Sequence, residues 1–263
     1  MKITVCLKNV PVSNKIVVDK KKNSLVRSKI EQKINPCDLS ALTIVVKIKE
    51  LLKDVFIEIV SMDAGMDLQN FYEAIALGAD KVTILSDRAF AGSDAWATSN
   101  VLGKYLSTND SDFIFVGMES EDGHTRQIGP RLSAKLDRNF VSNVCDAEMK
   151  EDELILKKIE ENQDIVSFVP EKSQVFGILS TEVDSFISLE NIVDAIDASP
   201  IEIINNSVLN CEAERIGLNN SKTKVTKIYR EKKKNEVSYI NPDYESINTF
   251  VRDKIFKEVL NEG

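Results

Sequence analysis

Phe113-Ile114-Phe115-Val116-Gly117-Met118-Glu119-Ser120-Glu121-Asp122-Gly123-His124-Thr125-Arg126-Gln127-Ile128-Gly129-Pro130 passes from an unbroken apolar run, through a polar loop, into an amphipathic pattern. Four consecutive β-branched or aromatic residues read as a buried strand, and the pattern that follows reads as a helix near 126–136. Strand, glycine loop and helix is the arrangement in which α/β sheets hold phosphate groups. Gly117, Gly123 and Gly129 would let the backbone approach a ligand, and the N–H groups that open the helix carry partial positive charge. Thr125 and Gln127 add side-chain donors. The same residues serve equally well as an ordinary strand-to-helix connection, so local chemistry leaves both readings open.

On either side, short apolar runs alternate with helical patterns, the signature of repeated strand-helix-strand units. Strands are expected near 3–7, 56–61, 81–85 and 112–116, and helices near 39–53, 67–77, 94–106 and 126–136. Ala41, Leu42, Val45, Ile48 and Leu52 form the apolar stripe of the first helix. Asp38 can cap that helix, and Ser93 or Asp94 can cap the one carrying Trp96 and Leu102. Residues near 139–170 alternate charged and apolar side chains, which predicts an antiparallel extension. Val175 to Ser180 predicts one more buried strand, and Leu189, Ile192, Val193 and Ile196 a short helix. From Asn205 the chain turns polar, with a basic stretch from Lys222 to Lys234. A final pattern places Ile247, Phe250, Val251, Ile255, Val259 and Leu260 near one helix face. This predicts an α/β domain over 1–204 and a carboxyl-terminal arm over 205–263.

With 263 residues and 43% hydrophobic content, the chain can bury a substantial core. A net charge of -8 provides no basic surface for a phosphate polymer or an acidic bilayer, so no nucleic-acid partner is expected. Cys6, Cys37, Cys145 and Cys211 lie far apart, and His124 is the sole histidine, which argues against a zinc or iron-sulfur site within the chain. Redox work would need a borrowed cofactor. The sequence enters a strand at Ile3 without a charged leader, and no window reaches membrane-spanning length; a cytoplasmic protein without membrane insertion is expected.

The Gly117–Pro130 loop resembles the nucleotide-binding signature of electron-transferring flavoprotein β subunits, whose usual form is Gly-x-Gln-x-x-Asp-Gly-x-Thr-x-Gln-x-Gly-Pro. Three further runs resemble the same family in the same order. They are Val5-Cys6-Leu7-Lys8-Asn9-Val10-Pro11, Asn35-Pro36-Cys37-Asp38, and Asp87-Arg88-Ala89-Phe90-Ala91-Gly92-Ser93-Asp94 continued by Ala97-Thr98-Ser99. Ala76-Leu77-Gly78-Ala79-Asp80 adds to them, and the ordered set spans most of the first 140 residues.

The resemblance implies an adenine-nucleotide α-hydrolase-like fold: a mostly parallel sheet flanked by helices, paired with an α subunit that carries its own FAD. It implies electron transfer. The β-subunit nucleotide is structural AMP in ordinary members and a second FAD, exchanging hydride with NADH, in bifurcating ones. The Asp87–Ser99 run resembles that of anaerobic, NADH-using members, which implies FAD here. Electrons would pass to an acyl-CoA-dehydrogenase-like or other flavin partner, and by bifurcation to ferredoxin.

Carried over by position, the resemblance places Cys6, Asn35, Pro36, Cys37, Asp38 and Met62 around the cofactor, with Phe90, Gly92, Asp94, Thr98 and Ser99 from the later run. The phosphate loop would comprise Gly117, Met118, Glu119, Asp122, Gly123, His124, Thr125, Gln127 and Ile128. No catalytic side chain is implied, since flavin chemistry belongs to the cofactor. Leu189 aligns with the family's dehydrogenase-recognition loop, and Phe250, Val251 and Val259 would contact the α subunit. Cys6, Met62 and Leu189 can equally be core residues. The chain departs from the pattern at Glu119, where the family has Gln, at His124, at Val12, and at Thr181–Phe186 in place of a proline-rich exit. A non-bifurcating β subunit holding AMP and a universal-stress-like nucleotide-binding protein remain the alternatives.

Overall fold

The computed structural model describes residues 1–12, 18–19, 24–25, 31–65, 67–181, 187–198, 200–224 and 243–252. In chain order its first elements are β1 (Lys2–Cys6), β2 (Asn9–Pro11), β3 (Val18–Asp19), β4 (Ser24–Leu25), β5 (Gln32–Ile34), α1 (Pro36–Leu51), β6 (Phe56–Met62), α2 (Gln69–Ala76) and β7 (Lys81–Leu85). Next come α3 (Ala95–Leu106), β8 (Phe113–Gly117), α4 (Ile128–Leu136), β9 (Asn139–Lys150), β10 (Glu153–Ile159), β11 (Ile165–Phe168) and β12 (Gln174–Ile178). The chain continues through α5 (Leu189–Ala198), β13 (Ile201–Ile204), α6 (Asn206–Leu209), α7 (Gly217–Asn220) and α8 (Tyr244–Phe250).

Nine strands form one sheet in the order β11-β10-β9-β12-β8-β1-β6-β7-β13. From β9 to β13 every neighbouring pair is parallel, while β10 and β11 add the expected antiparallel extension. The α/β class expected from the alternating pattern is the one observed. Because the parallel strands are covered on both faces, they read as continuous apolar runs; Ile3, Val5, Ile57, Ile59, Ile114 and Phe115 are fully buried. One apolar layer joins α1 and α2 to the sheet through Ala41, Val45, Ile48 and Phe71. The opposite layer joins α3 and α4 through Val101, Leu106 and Leu132. Phe176 ties the extension to the parallel sheet: its ring centroid lies 4.9 Å from that of Phe115 and 6.4 Å from that of Phe168.

The topology places a crevice. After β1 the sheet grows on one side through β6 and β7, and then the chain returns to pair β8 with the other edge of β1. At the carboxyl ends of β1 and β8 the connections therefore diverge, which is where open α/β sheets bind ligands. Met1–Thr226 form one compact unit and Lys227–Gly263 a second. In the second unit the described residues make α8, whose start is capped by Asp243 accepting from the Ser246 amide at 2.8 Å.

At the amino end of the sheet, Glu58 is a buried carboxylate surrounded by donors. Tyr105 Oη stands 2.7 Å and Thr83 Oγ1 2.8 Å from Oε1, while Asn109 Nδ2 stands 2.6 Å and Lys2 Nζ 2.9 Å from Oε2. Burial alone would raise its pKa, but these donors outweigh it and hold the carboxyl at about 2. A carboxyl held below its unfolded value contributes stability that is present above pH 4.5 and is lost as the pH falls toward 2. Glu58→Gln should therefore lower the unfolding free energy at neutral pH by about 3 kcal/mol and flatten that acid limb. Urea titrations at neutral and acidic pH measure both; an unchanged acid limb would show that Glu58 does not control it.

Candidate functional site

One side chain bridges the two walls of the crevice. β2 and β5 pair in a short antiparallel ladder that brings Asn35 back to the exit of β1, where its amide donates to the Lys8 carbonyl at 2.9 Å. Pro36 then opens α1, a position where its missing N–H costs nothing. One turn in, the Asp38 carboxylate accepts from the Lys8 amide at 2.9 Å and from the Gly117 amide at 3.0 Å, joining the exits of β1 and β8. Asn35 holds the next stretch of the loop from both sides, donating to the Glu119 carbonyl at 2.8 Å and accepting from the Glu121 amide at 3.0 Å. Asp38 is buried, and desolvation outweighs its hydrogen bonds and the charge of Lys8, pushing the carboxyl up to about 7.

The glycine reading changes in detail. A Cβ at Gly117 would stand 2.2 Å from Asp38 Oδ1, and one at Gly129 2.6 Å from the Phe140 ring; the room at these positions is taken by the protein's own side chains. At Gly123 a Cβ would meet only Ser120 Oγ, at 3.2 Å. Several amides expected to face a phosphate are also engaged within the chain. Gly117 donates to Asp38, Met118 to the Ile178 carbonyl, and Gly123 and His124 to the Ser120 carbonyl. The helix start remains: α4 has no side-chain cap, and the amides of Ile128 and Gly129 lie ahead of its hydrogen-bond ladder.

Glu119 is paired. Arg126 Nε donates to its Oε2 at 2.8 Å and Nη2 to its Oε1 at 3.3 Å, while His124 Nδ1 lies 3.8 Å away. The Arg126 bond is the main reason the Glu119 carboxyl lies below its usual range. On the other flank Lys8 Nζ contacts Asp122 Oδ1 at 2.5 Å. His124 and Arg126 adopt left-handed φ of 46° and 54°, each costing about 1–2 kcal/mol for a residue with a Cβ. Thr125 is exposed, and Gln127 Oε1 turns along the helix to accept from Arg131 at 2.9 Å.

Other expected residues are placed as follows. Cys6 and Cys37 are buried beside Asp38, and burial raises both thiols, so they remain protonated. Met62 ends β6 and packs on the α3–α4 side of the sheet. Phe90 is in the core, and the buried Ser99 donates through Oγ to the Trp96 carbonyl at 2.8 Å. Thr98 is half-buried in α3. Gly92 and Asp94 lie in the loop after β7, against residues 217–223. Leu189 opens α5 and is 84% exposed, with Val193 exposed one turn on. Phe250 and Val251 are half-buried at the end of α8; Val259 lies outside the described residues.

Sequence reading missed three participants. Lys8 and Arg126 are common surface residue types; the partner of Lys8 lies across the fold at Asp122, and that of Arg126 seven residues back at Glu119. Ser61, near the carboxyl end of β6, is buried with no hydrogen-bond partner for its hydroxyl among the described residues. Its one signal was a serine at a core position of an apolar run. Among the described residues no helix is long and apolar enough to cross a membrane.

A family model described as the electron transfer flavoprotein domain matches residues 22–190. The chain is 31% identical over 226 residues to the electron transfer flavoprotein subunit beta of Thermoanaerobacterium thermosaccharolyticum, covering 86% of each chain. It is 29% identical over 258 residues to the subunit of the same name from Clostridium acetobutylicum, covering 98% of this chain and 99% of that one. To the caffeyl-CoA reductase-Etf complex subunit CarD of Acetobacterium woodii it is 29% identical over 227 residues, 86% of each chain.

The Asp38 clamp makes a prediction. Asn at this position keeps one acceptor but turns an N–H₂ toward the second amide, costing about 1–3 kcal/mol. A raised carboxyl contributes stability that is full below pH 3.8 and lost as the pH rises through about 7. The stability advantage of wild type over Asp38→Asn should therefore shrink across that interval in urea unfolding. A constant difference would show that Asp38 does not titrate there.

Proposed function

The chain is an electron transfer flavoprotein β subunit, a member of the family by its domain match and by its likeness to relatives along most of its length, and on that premise we propose that it binds FAD in the crevice between β1 and β8. The uncapped start of α4 at the carboxyl end of this crevice is the observation that carries the reading. It leaves first-turn amides for an anion, while the Arg126 pair offsets the Glu119 charge that would otherwise oppose phosphate. Thr125 supplies a hydroxyl in the same loop, and the Ser61 hydroxyl, without a partner among the described residues, lies near the end of β6. The donor set fits an adenylate with a diphosphate.

Bound FAD supplies hydride and single-electron transfer; the chain supplies binding, orientation and electrostatics. Asn35 and Asp38 hold the loops that form the walls, and Cys6, Cys37 and Met62 contribute shape. The protonated thiols of Cys6 and Cys37 bring no negative charge. Phe90, Gly92, Thr98 and Ser99 shape the end nearer β7, while both oxygens of Asp94 are engaged within the chain. In this reading NADH is the donor, the partner is an α subunit with its own flavin, and electrons divide between that path and ferredoxin. The relative from Acetobacterium woodii, named for a caffeyl-CoA reductase-Etf complex, supports a flavin-dependent reductase or acyl-CoA-dehydrogenase-like acceptor. Exposed Leu189 and Val193 on α5 offer an apolar contact for it.

Two measurements test this. The heterodimer from its native host should release two FAD per αβ pair on denaturation; AMP with one FAD would refute the flavin assignment. Deletion of residues 241–263 should weaken association with the α subunit at least about tenfold, as expected for loss of an apolar docking helix. Unchanged affinity would remove the arm from the interface.

A further inference from the structure

The loop after β7 is occupied by the chain itself. Asp87 Oδ2 accepts from the Asn206 amide at 2.9 Å, Ser93 Oγ from the Gly217 amide at 3.1 Å, and the Ala91 carbonyl from the Leu218 amide at 3.1 Å. The Asp94 amide donates to Ser221 Oγ at 2.9 Å, and Asp94 Oδ2 accepts from both the amide of Thr223 at 2.7 Å and its hydroxyl at 3.0 Å. Lys222 Nζ lies 4.5 Å from the centroid of the Trp96 ring.

Two glycines make this fit possible. Gly92 and Gly217 take left-handed φ of 72° and 73°. A Cβ on Gly92 would stand 2.9 Å from Leu218 Cβ, and one on Gly217 2.4 Å from the Ala89 carbonyl oxygen. The two segments meet backbone to backbone. Of the two Asp94 oxygens, Oδ1 caps α3 by accepting from the Ala97 amide at 2.9 Å, leaving Oδ2 to Thr223. The carboxylate thus has one oxygen for its own helix and one for a segment 129 residues further along the chain.

We propose that Asp94 is a positioning residue that latches residues 206–223 as a strap onto the loop after β7, and so fixes the starting point of the segment leading to the partner-binding arm. The latch stands on the contacts above; its consequence for the partner rests on the function proposed in the preceding section. Asp94 then serves the Phe90–Ser99 run through the strap and without touching the cofactor.

Asp94→Asn separates the two oxygens, because asparagine still caps a helix but presents N–H₂ to the two Thr223 donors. In the full-length chain bound to its α subunit, amide exchange across residues 215–224 should rise at least about tenfold, the factor a lost charge-assisted hydrogen bond carries. Exchange in α3 should keep its wild-type value. The dissociation constant for the α subunit should rise by a similar factor, bound nucleotide per β chain should stay constant, and Thr223→Ser, which retains both donors, should match wild type. Wild-type exchange across the strap in Asp94→Asn would overturn the latch. An open strap with unchanged partner affinity would overturn its link to the arm. Nucleotide lost from a still-protected strap would make Asp94 a cofactor ligand and overturn the positioning role. A wild-type heterodimer without nucleotide on the β chain would refute the proposed function, while exchange in the strap would still decide the latch.

Discussion

The Asp38 carboxylate joins the exits of two strands whose connections the topology sends in opposite directions. A switch point opens a crevice, and open backbone amides in a crevice must find acceptors or water. Asp38 supplies two acceptors at once, to Lys8 and to Gly117, and Asn35 imitates a peptide group for the stretch just beyond. The tight loop after β8 depends on this clamp, and so does glycine at position 117, since any Cβ there would collide with the carboxylate.

Two buried carboxylates at opposite ends of the sheet show how the balance between burial and donors sets ionisation. Glu58 meets an ammonium, a phenol, a hydroxyl and a side-chain amide and is held at about 2, whereas Asp38 meets chiefly backbone and side-chain amides and is pushed up to about 7. The first behaves as a permanent anion that ties β6 to α3 and β1. The second, at the crevice, is poised near neutrality, where a nearby anionic ligand would alter its protonation.

Charge inside the loop is balanced locally. Glu119 brings a carboxylate into the loop, and the fold answers with Arg126, seven residues on and held in a left-handed conformation. A carboxylate that would repel phosphate becomes half of an ion pair, and backbone strain in the loop is the cost. The region after β7 shows the same economy, with a helix cap whose second oxygen holds a distant segment.

By itself the sequence determined the layered α/β architecture. Apolar runs such as Phe113–Val116 and helical stripes such as Ala41–Leu52 depend on periodicity, which is local, and the expected strands and helices lie within a few residues of the observed ones. It also identified the motif runs, and with them the family. Tertiary structure decided what those residues do. Asn35 and Asp38 spend their polar atoms on backbone, the room at Gly117 and Gly129 goes to Asp38 and Phe140, and the Asp87–Ser99 run receives residues 206–223. None of this was legible in the sequence, because most of these contacts join groups far apart along the chain, and their meeting depends on the order of strands in the sheet, which no local pattern encodes.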